Sequence, residues 1–491
     1  MVTEPHDMKK FFVCKCLLIS CILTLSGFDV QAQLSSQIQS VIDESRASSA
    51  FWTVQVRNEN GEVLENLNGD KLIRPASNLK LVSSGLFLNR LGPDFVFETN
   101  LYGRGELQDS VWNGDLLVEG SGDPSIGGSL YDDPLFLFEK WYQVLDSLGV
   151  QQINGNIIGY DGMFDDVPYP RGWEWDDLSY YYAPEISALS FNSNVVDLEV
   201  LADGRVGDTP EIHWFPFNTP YVEFINEQTI TPRGSGFDES YRRVLGSNII
   251  ILRSSLPQGY YETEPLSVME PTLYFIDTFV RYLERRGIEI NGRRLTESNF
   301  YTWNPENLTL IDTHYSKPLS EMVTWLNRES DNFFTEMLLK KVASKEYNVQ
   351  GTTDLGLLIM KDFMHEMEFD TLSVSLRDAS GMAPATLLKA SDLNNYLLKV
   401  KQEDYFDVFY ESLSQAGFNG TLGHRFRNSS VRDHFFGKSG FVSGVRSISG
   451  YLNTDSGQEL AVTIATNNYT ARTGHVDYIH QRILEYIQSA Y

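Results

Sequence analysis

Three short polar motifs, far apart along the chain, constrain its fold more than any other feature of the sequence. They are Ser77-Asn78-Leu79-Lys80, Ser330-Asp331-Asn332 and Lys438-Ser439-Gly440. The first motif begins a predicted helix, the second lies between two predicted helices, and the third lies on a predicted strand. If the three motifs form one site, the fold must bring a helix start, an inter-helix turn and a strand together.

The first motif supplies a candidate nucleophile and a candidate base. Ser77 begins a helix predicted from Ser77 to about Leu91, and Lys80 returns to the same helix face one turn later. A serine hydroxyl needs a base, and a buried lysine that has lost its charge could accept the serine proton. The free N–H groups of a helix start also suit an oxyanion. A capping serine with a solvated lysine is the alternative interpretation of this motif.

The second motif combines a hydroxyl with an amide. Ser330 could pass a proton to a leaving amine, and Asn332 could hold a peptide amide through its donor and its acceptor. A helix cap is the alternative, because Ser, Asp and Asn are all favoured there. Ser190-Phe191-Asn192 shows the same S-x-N pattern, and we favour the later copy because of its helical setting.

The third motif places a cation and a hydroxyl on a strand. Lys438 and Ser439 could bind a terminal carboxylate, and Gly440 leaves room for a substrate strand beside the backbone. The N–H groups of Phe441 and Ser77 would then form an oxyanion hole. A turn lysine on an edge strand is the alternative. The sequence leaves open whether Lys80 or Lys438 is the acylating base.

Charge and cysteine content exclude several classes of function. The net charge of −27 argues against nucleic-acid binding, because an acidic surface repels phosphate backbones. All three cysteines, Cys14, Cys16 and Cys21, lie in the first 32 residues. A mature chain without them has no disulfide, thiolate metal site or cysteine nucleophile. The sequence predicts no metal and no cofactor.

The N-terminus predicts a secretory signal peptide over residues 1–32. Lys9 and Lys10 precede an apolar run from Cys16 to Phe28, and small residues at Val30 and Ala32 fit a cleavage site. The run is shorter than the roughly 20 residues that span a bilayer, which argues against a membrane anchor. A lipoprotein cleaved before Cys21 is the other alternative. We expect a mature protein in the periplasm or cell envelope with no transmembrane segment.

The pattern of strand-like and helix-like segments along the chain predicts one domain interrupted by a large insertion. We expect residues 33–94 and 266–491 to form the main domain and residues 95–265 to form an inserted β-rich region of two subdomains. A hairpin is predicted over residues 51–58 and 61–67. Further predicted helices cover residues 271–287, 318–327, 332–342, 392–399 and 475–491, and further predicted strands cover 435–442, 446–453 and 459–466.

The motifs and their spacing resemble the D-alanyl-D-alanine carboxypeptidase/endopeptidases among the low-molecular-mass class C penicillin-binding proteins. Ser77 and Ser330 are 253 positions apart and Ser330 and Lys438 are 108 apart, and a large insertion between the first two motifs marks that family. The resemblance runs from about Ser35 to the C-terminus. Further stretches that resemble the family are Leu91-Gly92-Pro93-Asp94-Phe95, Gly120-Ser121-Gly122-Asp123-Pro124-Ser125, Gly172-Trp173-Glu174-Trp175-Asp176-Asp177 and Asp378-Ala379-Ser380-Gly381-Met382.

The resemblance implies a fold, a substrate and a reaction. The fold would be α+β: a β-lactamase/transpeptidase-like antiparallel sheet flanked by helices, with a helical lobe and the β-rich insertion. The substrates would be peptidoglycan stem peptides, and Ser77 would form an acyl-enzyme that water hydrolyses. β-Lactams would acylate the same serine. The resemblance also makes Asp177 a candidate for reading the free amino group of the stem peptide, although a solvated loop acid is an equal alternative.

The chain departs from the family pattern at three places. Ser439 replaces the commoner threonine and keeps the hydroxyl, while Ala379 replaces a glycine of the D-G-S-G loop. Ala383-Pro384 stands where many relatives have Ser-Arg, so a side-chain contact to the far end of the substrate would be missing or differently placed.

Two other functions stay open from the sequence. A β-lactamase or serine esterase would use the same residue types and would differ in deacylation, yet no extra carboxylate motif for a deacylating base is found between the first two motifs. A catalytically silent cell-wall-binding protein would use its insertion for recognition, and the three intact motifs argue against it.

Overall fold

A computed structural model of the protein describes residues 31–491. The predicted signal peptide lies outside the described residues, except for its last two, which fall in the helical segment 31–43. Helices and sheets alternate along the described chain, which confirms the predicted α+β class. No helix within residues 31–491 is both long enough and apolar enough to cross a bilayer.

A six-stranded antiparallel sheet forms the centre of the main domain. The predicted hairpin is confirmed, with Val54 opposite Leu67 at the edge of this sheet. The three predicted strands near the C-terminus lie beside it and complete the sheet. In spatial order the strands are Val63–Leu67, Phe51–Arg57, Glu459–Asn467, Val445–Asn453, Phe435–Val442 and Ser414–Gln415.

Helices cover both faces of this sheet. The segment 31–43 and the C-terminal helix Thr473–Ala490 share a core with one face, where Leu34, Ile464 and Ile483 are buried. The helix Ala390–Lys399 lies on the other face, and Asn394 Nδ2 donates a 2.8 Å hydrogen bond to the backbone oxygen of Gln55. Packing on both faces therefore fixes the sheet that carries the residues of the third motif.

A helical lobe packs beside the sheet and carries the first two motifs. Its helices share one buried core of leucine, methionine and phenylalanine side chains. They are Lys80–Leu91, Leu319–Trp325, Asn332–Tyr347, Thr353–Glu366 and Phe406–Ser412.

The inserted region contains a seven-stranded mixed sheet and several small sheets. The helices Phe136–Ser147 and Pro271–Arg285 bury their apolar faces in its core. The strands of the large sheet are Glu98–Gln108, Val111–Glu119, Gln152–Ile153, Ile157–Tyr160, Glu289–Ile290, Arg294–Glu297 and Thr309–Tyr315. The smaller sheets comprise Val195–Leu201 with Glu211–Phe215 and Tyr261–Ser267, Glu223–Asn226 with Ile249–Leu252 and Tyr241–Arg243, and Thr229–Thr231 with Ser255–Pro257. A separate two-stranded sheet outside this region pairs Leu72–Ile73 with Leu388–Lys389.

Strand pairing bears on the border of the insertion, which the sequence predicts at residue 265. The strand Thr309–Tyr315 pairs with Glu98–Gln108, and Phe279 from the helix Pro271–Arg285 packs against Trp141. One hydrophobic core joins the large sheet to the small sheets, rather than two separate cores. We therefore propose that the insertion ends near residue 315 and that its parts fold together.

Candidate active site

Ser77 lies in a turn of 3-10 helix, Ala76–Leu79, that leads directly into the helix Lys80–Leu91. Ala76 has a φ of 47°, a conformation that costs an L-residue free energy and indicates that surrounding contacts hold the turn. Asn78 Nδ2 donates a 2.7 Å hydrogen bond to Ser449 Oγ on the central sheet. On its other side the turn lies against the loop that contains Gly381. Glycine allows this close approach, since a Cβ at position 381 would clash with the Ala76 oxygen. The turn is therefore fixed against both the sheet and a neighbouring loop.

The side chain of Lys80 is completely buried and joins the first two motifs. Its Nζ donates to Ser77 Oγ at 3.0 Å, to Asn332 Oδ1 at 2.5 Å and to the Ser380 oxygen at 2.9 Å. Three acceptors match the three N–H groups of an ammonium. Burial lowers the pKa of Lys80 to about 8, although nearby carboxyl groups, Asp378 foremost, oppose the shift. The solvated-lysine interpretation of this motif is wrong.

The second motif divides its side chains between capping and the site. Asp331 caps the helix Asn332–Tyr347, and its carboxylate accepts from the N–H of Phe334 at 2.9 Å. Ser330 ends the preceding turn of π-helix with a φ of 63°. Asn332 directs its oxygen to Lys80 and donates through Nδ2 to the Tyr182 oxygen at 2.8 Å. The capping alternative therefore holds for Asp331, whereas the side chains of Ser330 and Asn332 contact the lysines of the site.

The side chain of Lys438 joins the second and third motifs. It is completely buried, and its Nζ donates to Ser330 Oγ at 2.8 Å and to the Ser439 oxygen at 2.9 Å. Burial holds the pKa of Lys438 well below its usual range, and the charges of Lys80 and Arg446 act in the same direction. Two buried lysines, each on a different serine, therefore face one site.

The strand Phe435–Val442 has a free edge beside the Ser77 turn. Its outer neighbour Ser414–Gln415 pairs only as far as Gly437, so the edge is open from Lys438 onward. A Cβ on Gly440 would lie 2.8 Å from the Pro75 oxygen and 3.0 Å from Ala76 Cβ. The absence of a side chain thus lets the strand pass against the turn that carries the serine. An open strand edge can bind an extended peptide through its backbone groups.

Ser439 and Phe441, the other two residues predicted for this strand, contact neighbours other than the two lysines through their side chains. Ser439 Oγ donates a 2.8 Å hydrogen bond to the hydroxyl of Thr421. The ring of Phe441 is exposed and lies against the guanidinium of Arg446, 5.8 Å from ring centre to Cζ.

Asp177 is connected to the site through a tyrosine. Its Oδ1 accepts a 3.0 Å hydrogen bond from the Tyr182 hydroxyl, and the backbone oxygen of Tyr182 holds Asn332. Partial burial raises the pKa of Asp177 above its usual range. Asp177 therefore lies on the rim that the inserted region contributes, without a hydrogen bond to Ser77 or to either lysine.

Three contributors to the site were missed by reasoning from the sequence. Tyr182 and Ser380 act through backbone oxygens, for which a sequence carries no signal. Glu336 was not predicted as a site residue, yet its side chain is completely buried close to Lys80. A glutamate one turn after Asn332 on an apolar helix face is a signal that could have identified it.

Comparison with known proteins agrees with this architecture. The chain matches the D-Ala-D-Ala carboxypeptidase 3 (S13) family over residues 34–482, and it therefore belongs to that family. The protein is accordingly a serine-type hydrolase of the D-Ala-D-Ala carboxypeptidase class, as the resemblance implied.

Two curated relatives span most of this chain. A D-alanyl-D-alanine carboxypeptidase from an Actinomadura species is 27% identical over 477 residues, which cover 92% of this chain and 85% of the relative. The D-alanyl-D-alanine carboxypeptidase DacB from Haemophilus influenzae is 24% identical, with 94% of each chain covered.

Solved structures share the fold. The crystal structure of penicillin binding protein 4 from Haemophilus influenzae has a TM-score of 0.77 and 22% identity, covering 92% of this chain and 98% of that one. A second structure of that protein, complexed with a novel β-lactam, has a TM-score of 0.73. These similarities confirm the predicted transpeptidase-like fold with its large insertion.

Proposed function

We propose that the protein hydrolyses the terminal D-Ala-D-Ala bond of peptidoglycan stem peptides through an acyl-enzyme on Ser77. The observation that carries this proposal is the 3.0 Å hydrogen bond between Lys80 Nζ and Ser77 Oγ. Because Lys80 contacts Ser77 while Lys438 contacts Ser330, we assign the acylating base to Lys80. The alternative base that the sequence left open, Lys438, then takes a different step.

The first step transfers a proton and forms an ester. The Lys80 amine accepts the proton of Ser77 as Oγ attacks the carbonyl carbon of the penultimate D-alanine. Burial supports this assignment, since it lowers the pKa of Lys80 to about 8 and so makes the neutral amine accessible near neutral pH. The N–H groups of Ser77 and Phe441 would stabilise the developing oxyanion.

The second step releases D-alanine. When the C–N bond breaks, the leaving nitrogen takes the Ser330 proton, and the proton that Lys80 accepted from Ser77 replaces it, while the 2.8 Å hydrogen bond from Lys438 holds Ser330 in place. Water then adds to the ester as the neutral Lys80 amine accepts one of its protons, the shortened peptide leaves as an acid, and Lys80 returns the proton to Ser77. Atoms and charges balance without a cofactor.

The open edge of the strand Phe435–Val442 would hold the substrate. An extended peptide can pair with the backbone from Lys438 to Phe441, where Gly440 adds no side chain. Its terminal carboxylate would be bound by the neighbouring hydroxyl groups of Ser439 and Thr421. On the opposite rim, Asp177 would read the free amino group of the stem peptide, with Tyr182 orienting its carboxylate.

The same chemistry extends to cross-links and to β-lactams. If the leaving amine belongs to a second stem peptide, the reaction is that of an endopeptidase. The open strand edge leaves space for this second peptide, because the outer strand pairs only as far as Gly437. A β-lactam would acylate Ser77 because its amide mimics the scissile bond. These substrates occur in the cell envelope, to which the predicted signal peptide over residues 1–32 would direct the mature chain.

Release of D-alanine from a synthetic stem peptide ending in D-Ala-D-Ala tests the proposal. We expect Ser77→Ala to abolish release. Ser84→Ala is the matched control, because Ser84 is buried on the same helix and donates only within it, to the Leu81 oxygen at 3.1 Å. Activity that survives in Ser77→Ala would contradict the proposal. Rapid β-lactam hydrolysis by wild type without D-alanine release would favour the β-lactamase alternative.

A further inference from the structure

Glu336 has an incomplete set of hydrogen bonds inside the helical lobe. It lies one turn after Asn332, and its Oε1 accepts from the backbone N–H groups of Ala379 and Ser380 at 3.0 and 2.9 Å. Its Oε2 is buried and has no hydrogen-bond partner among the described residues. A buried carboxylate oxygen without a donor is costly, so the arrangement favours a proton on this carboxyl group.

The loop that Glu336 binds also contacts Lys80. Glu336 accepts from the N–H of Ser380, and the carbonyl oxygen of the same residue accepts from Lys80 Nζ at 2.9 Å. Ser83 anchors the loop further by donating to the Ala379 oxygen at 2.6 Å. Glu336 therefore fixes the position of one of the three acceptors around Lys80.

The charges around Glu336 come from three elements. Lys80 faces it from the helix Lys80–Leu91, and Asp378 faces it from the loop. On its own helix, Asp331 also acts on Lys80, and Lys340 is paired with Asp165 at 2.6 Å. The single positive charge of Lys80 therefore lies among three carboxyl groups, those of Asp378, Glu336 and Asp331.

Asp378 and Glu336 differ in how completely their carboxyl oxygens are hydrogen-bonded. Asp378 accepts four hydrogen bonds, from Trp173, Ser380, Ala383 and Thr386. Both oxygens of Asp378 are therefore hydrogen-bonded, in contrast to Oε2 of Glu336. Burial and the charge of Asp378 then raise the pKa of Glu336 to about 8.

We propose that Glu336 is a positioning residue that sets the charge of Lys80, staying protonated at neutral pH so that the neutral amine remains accessible. When Glu336 ionises, its negative charge stabilises the ammonium form and withdraws the base. This inference rests on the proposed function, in which the Lys80 amine deprotonates Ser77.

The pH dependence of acylation by benzylpenicillin separates this role from a purely structural one. Removing the charge with Glu336→Gln keeps an oxygen that can accept from Ala379 and Ser380. Glutamine mimics the protonated acid, so the two acylation profiles should coincide below about pH 8. Above it, ionised Glu336 holds the Lys80 proton in wild type, so we expect the acylation rate of the variant to complete its rise about half to one unit lower. The maximal rate should stay within about threefold of wild type, because the acceptor around Lys80 is retained.

Glu185→Gln is the matched control. Glu185 is a buried carboxyl group in the inserted region and accepts from the Glu270 N–H at 2.8 Å and the Tyr169 hydroxyl at 3.2 Å. Its substitution should leave the pH profile unchanged. A profile of folded Glu336→Gln that superimposes on wild type, or an equal shift in Glu185→Gln, would overturn the inference. Failure of the proposed function looks different, since wild type itself would then not be acylated.

A second experiment keeps Glu336 in place, so it tests the inference even if Glu336→Gln does not fold. Carbon-13 NMR of glutamate carboxyl groups would follow Glu336 in a Glu264→Gln background, which removes a glutamate whose pKa is raised to about 7. A carboxyl group that titrates near pH 8 supports the inference. Glutamate carboxyl groups that are all ionised at pH 7 would overturn it.

Discussion

Lys80 and Asn332 are 252 positions apart in the chain, and a 2.5 Å hydrogen bond joins the lysine Nζ to the asparagine Oδ1. The other end of the Asn332 amide donates to the Tyr182 oxygen of the inserted region. The base proposed for Ser77 is therefore held in place by a side chain that the insertion orients. This relationship explains how a large insertion between the first two motifs can still contribute to one site.

Removing the amine at position 80 tests the base directly. Lys80→Met keeps the length of the apolar stem and removes the group that contacts Ser77. We expect acylation by benzylpenicillin to fall by about 10²- to 10⁴-fold, the range that general-base catalysis supplies. Stopped-flow or quenched-flow kinetics of adduct formation measures the change.

Lys340→Met is the control for loss of a buried lysine. Lys340 lies in the same lobe and binds Asp165 at 2.6 Å, without a hydrogen bond to any of the three motifs. This variant should lose stability and keep its rate of acylation. Equal loss of acylation in both variants would contradict the assignment of Lys80 as the base.

Asp123→Asn should stabilise the protein at alkaline pH. Asp123 is completely buried; its Oδ1 accepts from Ser125, whereas its Oδ2 has no hydrogen-bond partner within residues 31–491 and lies 3.8 Å from His314 Nε2. Burial raises the pKa of Asp123 from 3.8 to about 6, so the folded state keeps a proton that the unfolded chain releases in that window. Stability therefore falls as pH rises from about 4 to 6, and the cost of the charge is complete above it.

The expected gain for Asp123→Asn is about 1–3 kcal/mol at pH 8, and it should shrink at pH 5, where wild type is largely protonated. Burial lowers the pKa of His314 to about 4, so this neighbour is neutral at both pH values and does not add to the change. Thermal unfolding midpoints of both proteins at the two pH values measure the effect. A gain that is equal at both would contradict the assignment of a raised pKa to Asp123.

A side chain at position 440 should separate the strand from the serine turn. The added Cβ of Gly440→Ala would clash with Ser447 Oγ and lie 2.8 Å from the Pro75 oxygen. Displacement of the strand would misplace the N–H of Phe441, and we expect about a 10²-fold loss of acylation. Gly474→Ala is the control, because a Cβ there meets no atom within 4 Å. Acylation at the wild-type rate in folded Gly440→Ala would show that the strand does not need this close approach.

Local patterns were enough to predict the elements that carry the motifs. The strand predicted over residues 435–442 is observed as Phe435–Val442, and the predicted helix start at Ser77 is observed as a 3-10 turn followed by a helix. Apolar spacing and turn residues fix such elements within a few positions. The alternative interpretations of the motifs, as a solvated lysine or a turn lysine, depended on whether the lysines are buried, which motif spacing does not show. In the structure both Lys80 and Lys438 are completely buried.

Long-range pairing was beyond reach of the sequence. The border near residue 265 was predicted from a change in local sequence pattern, whereas the border that we propose, near residue 315, depends on the pairing of Thr309–Tyr315 with Glu98–Gln108. The helices Phe136–Ser147 and Thr353–Glu366 were also not predicted from the sequence. Their apolar faces are recognised only when the hydrophobic cores into which they pack are known. Backbone acceptors such as Ser380 leave no mark in a single sequence.

The most direct test of the central claim is the intact mass of the purified mature protein during incubation with benzylpenicillin, with Ser77→Ala as the control. The account predicts one covalent adduct per wild-type chain and none on Ser77→Ala, with Ser84→Ala behaving as wild type. An adduct of the same mass and rate on Ser77→Ala would place the nucleophile elsewhere and contradict the account.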